Sequence, residues 1–259
     1  MSARILSIAY NTFREAVRDR VLYNLIFFAV LMAAASILVG QITIGIERQV
    51  VINLGLASVS LFGIVIAIFI GIGLVSKEID RRTLYTVLSR PVRRWEFVLG
   101  KFAGLVGTLA LNTFFMALGV FAALLYLKRT LAPEDGWVLV ALYFIVLQFV
   151  IVTSLALLFS TFSSPLLSAV FAFSLFIIGS FAEDLRAFAT MAEAGPSRWL
   201  ASFAAWLVPN LGSLNVISTV AHARAVPGDL ILFNTVYALA YAAAALFAAI
   251  LIFEHRNLK

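Results

Sequence analysis

Residues 76–101, SKEIDRRTLYTVLSRPVRRWEFVLGK, hold the densest set of charged side chains in this sequence. They carry seven of the 19 Lys+Arg residues of a chain that is 63% hydrophobic. Cations packed this closely on a patterned loop suit recognition of a soluble partner rather than bond-making. Other candidate sets are weaker. His222 and His255 are not spaced as ligands, and with no Cys there is no thiolate site or disulfide. Gly100-Lys101 ends like a phosphate-binding loop, but Trp95 stands where the first Gly belongs. Phe102 stands where Ser or Thr must meet magnesium. The long apolar runs carry no ionisable residue near their centres, as a proton relay or ion path would require. The sequence thus argues against an enzyme, a metal site and a nucleotide site within this chain.

The elements that position the loop follow from composition. Charged residues make up 12%, about half the share of a soluble domain, and the mean hydropathy is +1.05. Apolar runs of this length read as membrane spans. They fall at about 21–39, 51–75, 102–127, 137–159, 166–182 and 230–253. The net charge of +6 sits in loops and flanks, so lipid headgroups and a soluble partner are expected rather than nucleic acid.

Residues 4–18 wind into an amphipathic helix. Arg4, Ser7, Asn11, Arg14, Glu15 and Arg18 share one arc, and Ile5, Leu6, Ala9, Tyr10, Phe13, Ala16 and Val17 the other. This helix is expected to lie in the headgroup plane with its apolar arc down. Ala33-Ala34-Ala35 looks cleavable, but the charged lead before it is long and contains acids, so the first span is expected to stay. Six spans place both termini on one side. Thirteen Lys+Arg then fall on that side against six opposite, which puts the termini and the basic loop in the cytoplasm.

Residues 160–165 break the fourth and fifth spans without a charge, where Ser and Thr hydroxyls can satisfy freed backbone groups. Lys128, Glu134 and Asp135 mark a polar outer turn, with Asp135 expected to be accessible. Residues 199–208 and 211–220 are apolar but too short to span, and Pro209-Asn210 separates them. They read as an outer re-entrant hairpin of two short helices. Gly63, Ala67 and Gly71, and then Gly100, Gly104 and Thr108, give small-residue faces for close helix packing. Asn53, Asn112, Gln148 and Asn234 are polar but uncharged and read as bridges between helices.

Within the basic loop, Ile79, Thr83, Leu84, Val87 and Leu88 pattern a short helix that Arg90-Pro91 ends. Trp95 then marks the interface where the chain re-enters the membrane.

The run Lys77-Glu78, Arg82-Thr83, Leu88, Arg90-Pro91, Arg94 and Leu99-Gly100-Lys101 resembles the signature of type-2 ABC exporter permeases. It is most similar to the NosY-like branch associated with multicopper enzyme maturation. Arg82 stands where that branch has Gly. Trp206-Leu-Val-Pro209-Asn210 also resembles a motif before its last span. The resemblance implies an all-α membrane protein, a single permease domain over 1–259. Its parts are six transmembrane helices, an interfacial helix, a cytoplasmic coupling helix over 79–89 and an outer hairpin.

It implies a homodimer that pairs with two copies of a cytoplasmic ABC ATPase in the cell (inner) membrane, with ATP and Mg held by that partner. Glu78, Ile79, Arg82, Thr83, Leu84, Val87, Leu88, Pro91 and Arg94 would serve ATPase coupling. Trp95 and Lys101 would anchor the loop, and Trp206, Pro209 and Asn210 would shape the hairpin. With no Cys and no Met or His cluster, the resemblance does not extend to copper binding. The alternative from the residues alone is a non-transporting membrane scaffold that recruits a cytoplasmic partner through the same loop.

Overall fold

The computed structural model describes residues 2–18, 20–42, 45–80, 93–128, 130, 132–191, 203 and 207–255. They form helices α1 (Ser2–Arg18), α2 (Arg20–Ile42), α3 (Glu47–Asp80), α4 (Arg94–Lys128) and α5 (Trp137–Ser160). Then follow α6 (Pro165–Ser180), α7 (Ala182–Met191), α8 (Ile217–Ala221) and α9 (Gly228–His255), and no strand occurs among the described residues. Among the described residues, four stretches are long and apolar enough to cross a membrane: Glu47–Gly73, Trp95–Leu127, Pro133–Ser160 and Gly228–His255.

Helix α5 is the post around which the others stand. It is apolar all round, the composition of a helix buried on every side. Phe144, Ile145, Phe149, Ile151 and Ala156 are sealed from solvent, and α3, α4, α6 and α9 pack on it. Helix α9 presents Asn234, Ala238, Ala242, Ala245 and Ala249 inward, small residues that let it approach α5 closely. Its outward Leu232, Phe233, Val236 and Phe247 are exposed, as suits a face solvated by lipid. The Gly63 face meets the same post: a Cβ there would overlap the Phe149 ring, and one at Gly71 would lie 3.3 Å from Ala156 Cβ.

Helices α3 (34 residues) and α4 (35 residues) each run to about 50 Å at ~1.5 Å per residue. That exceeds the ~30 Å hydrocarbon layer. The sequence suggests that α3 stops near Val75 and that Ile79 opens a separate helix. Instead α3 continues through Asp80, because neither Gly nor Pro interrupts 74–80. Helix α4 likewise starts at Arg94, ahead of the expected span. The α5–α6 break matches its composition. Ser160 Oγ, Thr161 Oγ1 and Ser163 Oγ donate to the carbonyls of Leu157, Leu158 and Phe159 at 2.7, 2.6 and 2.9 Å. Pro165 then opens α6, a helix of 16 residues.

Helix α1 differs from its expected placement. It does not rest its whole apolar arc on lipid but docks against α4. Thr12 and Ala16 are buried, whereas Leu6 and Tyr10 stay 72% and 61% exposed. The cause lies on α4, where Gly100 and Gly104 leave room for the α1 backbone. A Cβ at Gly100 would fall 2.7 Å from Ile8 Cβ, and one at Gly104 would fall 2.5 Å from Ala9 O. Gly104→Ala is therefore expected to destabilise the chain by about 1–3 kcal/mol. Gly119→Ala, where nothing lies within 4 Å among the described residues, gains up to ~1 kcal/mol from helix propensity. Thermal melting of the detergent-solubilised chain checks this, and equal shifts for the two variants would refute the α1–α4 contact.

Candidate functional site

The functional expectations fall at two ends of the bundle. At the end that carries the basic loop, α4 begins with a local cap. Glu96, three residues past Arg93, accepts the Arg93 backbone N–H at 3.1 Å and is itself buried. This is half of a capping box and fixes where α4 starts. One turn on, Lys101 is buried with its Nζ 3.8 Å from Glu15 Oε2 and 5.6 Å from the centre of the Phe97 ring. Phe97 stacks on Phe253 of α9 at 6.3 Å. A buried ammonium needs such partners, since desolvating it alone is costly. The first turns of α4 thus hold α1 by charge and glycine contact, and α9 by ring stacking.

Glu78 and Ile79 lie on the last turn of α3, at the mouth of the basic loop. Arg94 is the first residue of α4, and Trp95 beside it is half-buried. Arg82, Thr83, Leu84, Val87, Leu88 and Pro91 lie outside the described residues, as does Trp206. The structure brings Lys101 to α1 through Glu15, a partner that sequence reading assigned only to a polar arc.

At the far end a second charged tie joins three elements. Arg48 of α3 donates from Nε to Asp135 Oδ1 at 2.9 Å and from Nη1 to Ala221 O of α8 at 2.9 Å. Asp135 also accepts the Ala132 N–H at 2.8 Å through Oδ2. Its side chain is only 2% exposed, which corrects the reading of Asp135 as an accessible turn residue. Two distant charges that pair across the fold are removed from water together. The α8 carbonyls that Arg48 meets belong to a helix end closed by a Schellman pair. Arg224 N donates to Thr219 O and Ala223 N to Val220 O, each at 3.0 Å, with Ala223 at φ 59.

Between the ends, Val208, Pro209, Asn210, Leu211, Leu214 and Val216 are buried without forming a continuous helix. The expected second hairpin arm, 211–220, is instead a 3-10 turn (Gly212–Leu214) and the five-residue α8. Asn210 Oδ1 accepts Ser213 N–H at 3.2 Å and Asn215 Oδ1 accepts Ile217 N–H at 3.3 Å, local bonds that compete with helix.

The bundle supplies the remaining partners. Tyr241 Oη donates to Leu207 O at 3.0 Å, Asn210 N donates to Tyr237 Oη at 2.7 Å, and Asn234 Nδ2 donates to Ser213 O at 3.1 Å. Successively higher residues of this segment therefore meet successively earlier turns of α9. Gln148 of α5, held by Ser60 of α3 at 3.1 Å, reaches Leu211 O at 3.4 Å. Gln148 and Asn234 do act as the bridges their polarity predicts; Tyr237 and Tyr241 were not anticipated. Among the described residues no three His, Asp or Glu are grouped to hold a metal ion.

Residues 6–258 match the family model described as ABC-2 family transporter protein. No curated protein matches the chain.

The far-end tie gives a direct test. Asp135→Asn or Arg48→Met leaves one buried charge unpaired and is expected to cost about 3–5 kcal/mol. The double substitution Arg48→Met with Asp135→Leu should recover most of that loss. Melting curves of the three variants decide it; additive losses would mean that the two side chains do not stabilise each other.

Proposed function

Because the chain belongs to the ABC-2 transporter family, we propose that it works as the membrane half of an ATP-driven exporter of the NosY-like type. It is an integral membrane protein and the permease subunit of an ABC transporter. Two copies of the permease pair in the cell inner membrane with two copies of a cytoplasmic ATPase, which holds the ATP and Mg. Both termini face the cytoplasm, as the excess of Lys+Arg on that side favours.

The observation that carries the coupling role is the reach of α3. Its apolar run ends at Val75, yet the helix continues through Ser76, Lys77 and Glu78 to Asp80, about 7 Å further. Glu78 and Ile79 therefore stand on a rigid rod that projects beyond the apolar layer. ATP binding closes the partner dimer and displaces the basic loop. α3 and α4 act as levers, and α1 travels with α4 because glycine contacts and Lys101 hold it there. The 207–221 segment acts as an outer re-entrant cap, with its own Pro209 and Asn210 buried against the bundle. The dense bonding of that segment to α5 and α9 supports a part that moves with those helices.

Mild-detergent purification of the tagged chain should recover a stoichiometric P-loop ATPase. Glu78→Gln with Leu84→Asp should lower that recovery about tenfold, ~1.4 kcal/mol of lost association. A chain repeatedly recovered alone would overturn the coupling reading in favour of the scaffold. Orientation has its own check, since the chain carries no natural Cys. Glu134→Cys, at an exposed position, should react with an impermeant reagent from outside, and Arg93→Cys only from inside. The reverse pattern would invert the topology.

A further inference from the structure

A groove of about 490 Å³ runs between α1 and α4, at the loop end of the bundle, and the coupling role leaves it unused. Leu6, Tyr10 and Phe13 of α1 form one wall, and Ala103, Gly104 and Gly107 of α4 form the floor. The floor is shaped by absent side chains: a Cβ at Gly107 would approach only Phe13, at 3.8 Å. Its volume lies in the ~300–1,000 Å³ range of sites that hold small molecules. Ala103 to Gly107 lie within the apolar stretch Trp95–Leu127, so the groove opens towards lipid rather than bulk water.

One charge stands at its rim. The Arg14 guanidinium lies 5.8 Å from the centre of the Tyr10 ring, at the exposed edge of α1. An apolar slot with a cation over its mouth is complementary to an amphiphile with one acyl chain and an acidic head. Basic side chains at a membrane surface favour anionic lipids over zwitterionic ones.

We infer that this groove binds one anionic phospholipid, with an acyl chain along Ala103 and Gly107 and its phosphate beside Arg14. The lipid then fills the angle between α1 and α4 and becomes part of the unit those helices form. The inference rests on the membrane placement of α4 and not on ATPase coupling, so the two can fail separately.

Native mass spectrometry of the full purified chain tests it, with phosphatidylglycerol and phosphatidylcholine of identical acyl chains as probes. The unaltered chain should retain one phosphatidylglycerol about fivefold or more in preference to phosphatidylcholine. Arg14→Gln should reduce that preference about fivefold, equivalent to ~1 kcal/mol for one Arg at a membrane surface. Gly107→Phe, which fills the slot, should lose the retained lipid. Arg224→Gln, at the exposed far end, should change nothing. Equal retention of both lipids by the unaltered chain would mean nonselective annular lipid only and would overturn the inference. So would an unchanged preference in Arg14→Gln, which decides the matter even where Gly107→Phe fails to fold.

Discussion

A backbone N–H or C=O inside a bilayer has no water to bond to, so each one must find its partner within the protein. Nearly every long segment here meets that demand by being helical. The two interruptions show what the alternative requires. At 160–165 three hydroxyls fold back onto the preceding carbonyls. At 207–216 the chain is irregular, with 208–211 buried, and Tyr237, Tyr241, Asn234, Gln148 and the Gly179 carbonyl supply its bonds. The polar residues of α9 and α5 are thus placed by the needs of a neighbouring backbone. Substituting one of them acts on the segment it serves before it acts on its own helix.

Charge is distributed on a different principle. The ionic groups that are buried lie at the two ends: Glu96 and Lys101 where α4 starts, Arg48 and Asp135 at the opposite face. The middle is joined by neutral amides and hydroxyls. Breaking the Arg48–Asp135 pair costs several kcal/mol, the Lys101–Glu15 contact, half-exposed at Glu15, holds less, and a neutral hydrogen bond contributes about 1 kcal/mol net. Rearrangement is therefore cheapest along the neutral middle. The end ties keep α1 with α4, and α3 with the 132–136 turn and α8, as units.

Much of this was legible in the sequence. Hydropathy placed apolar runs on α2, α3, α4, α5, α6 and α9, although α4 starts at Arg94, well before its run, and four of the described stretches are long and apolar enough to span; the four-residue glycine spacing marked faces that do pack closely. Other features left no local pattern. The apolar arc of α1 serves both lipid and α4, and periodicity cannot separate two apolar surroundings. Arg48 and Asp135 are 87 positions apart, and each reads as an ordinary loop charge. The run 211–220 reads as helix by hydropathy, but the side chains of Asn210 and Asn215 redirect their neighbours' N–H groups. The start of α4 also moved, because the Glu96 cap on Arg93 N–H sets it rather than the onset of apolarity.

Helix α6 has a further consequence. Its 16 residues measure about 24 Å, whereas the 28 residues of α9 measure about 42 Å. Leu166, Val170, Phe173 and Ile177 along α6 are exposed, so lipid must cover this short element as well as the long ones. A hydrocarbon layer ~30 Å thick cannot fit both without deforming. A span as short as α6 fits a layer of that thickness only where the layer thins beside it. Hydrophobic mismatch thus gives the bundle a soft side, and makes its elastic fit depend on the chain length of the lipids around it.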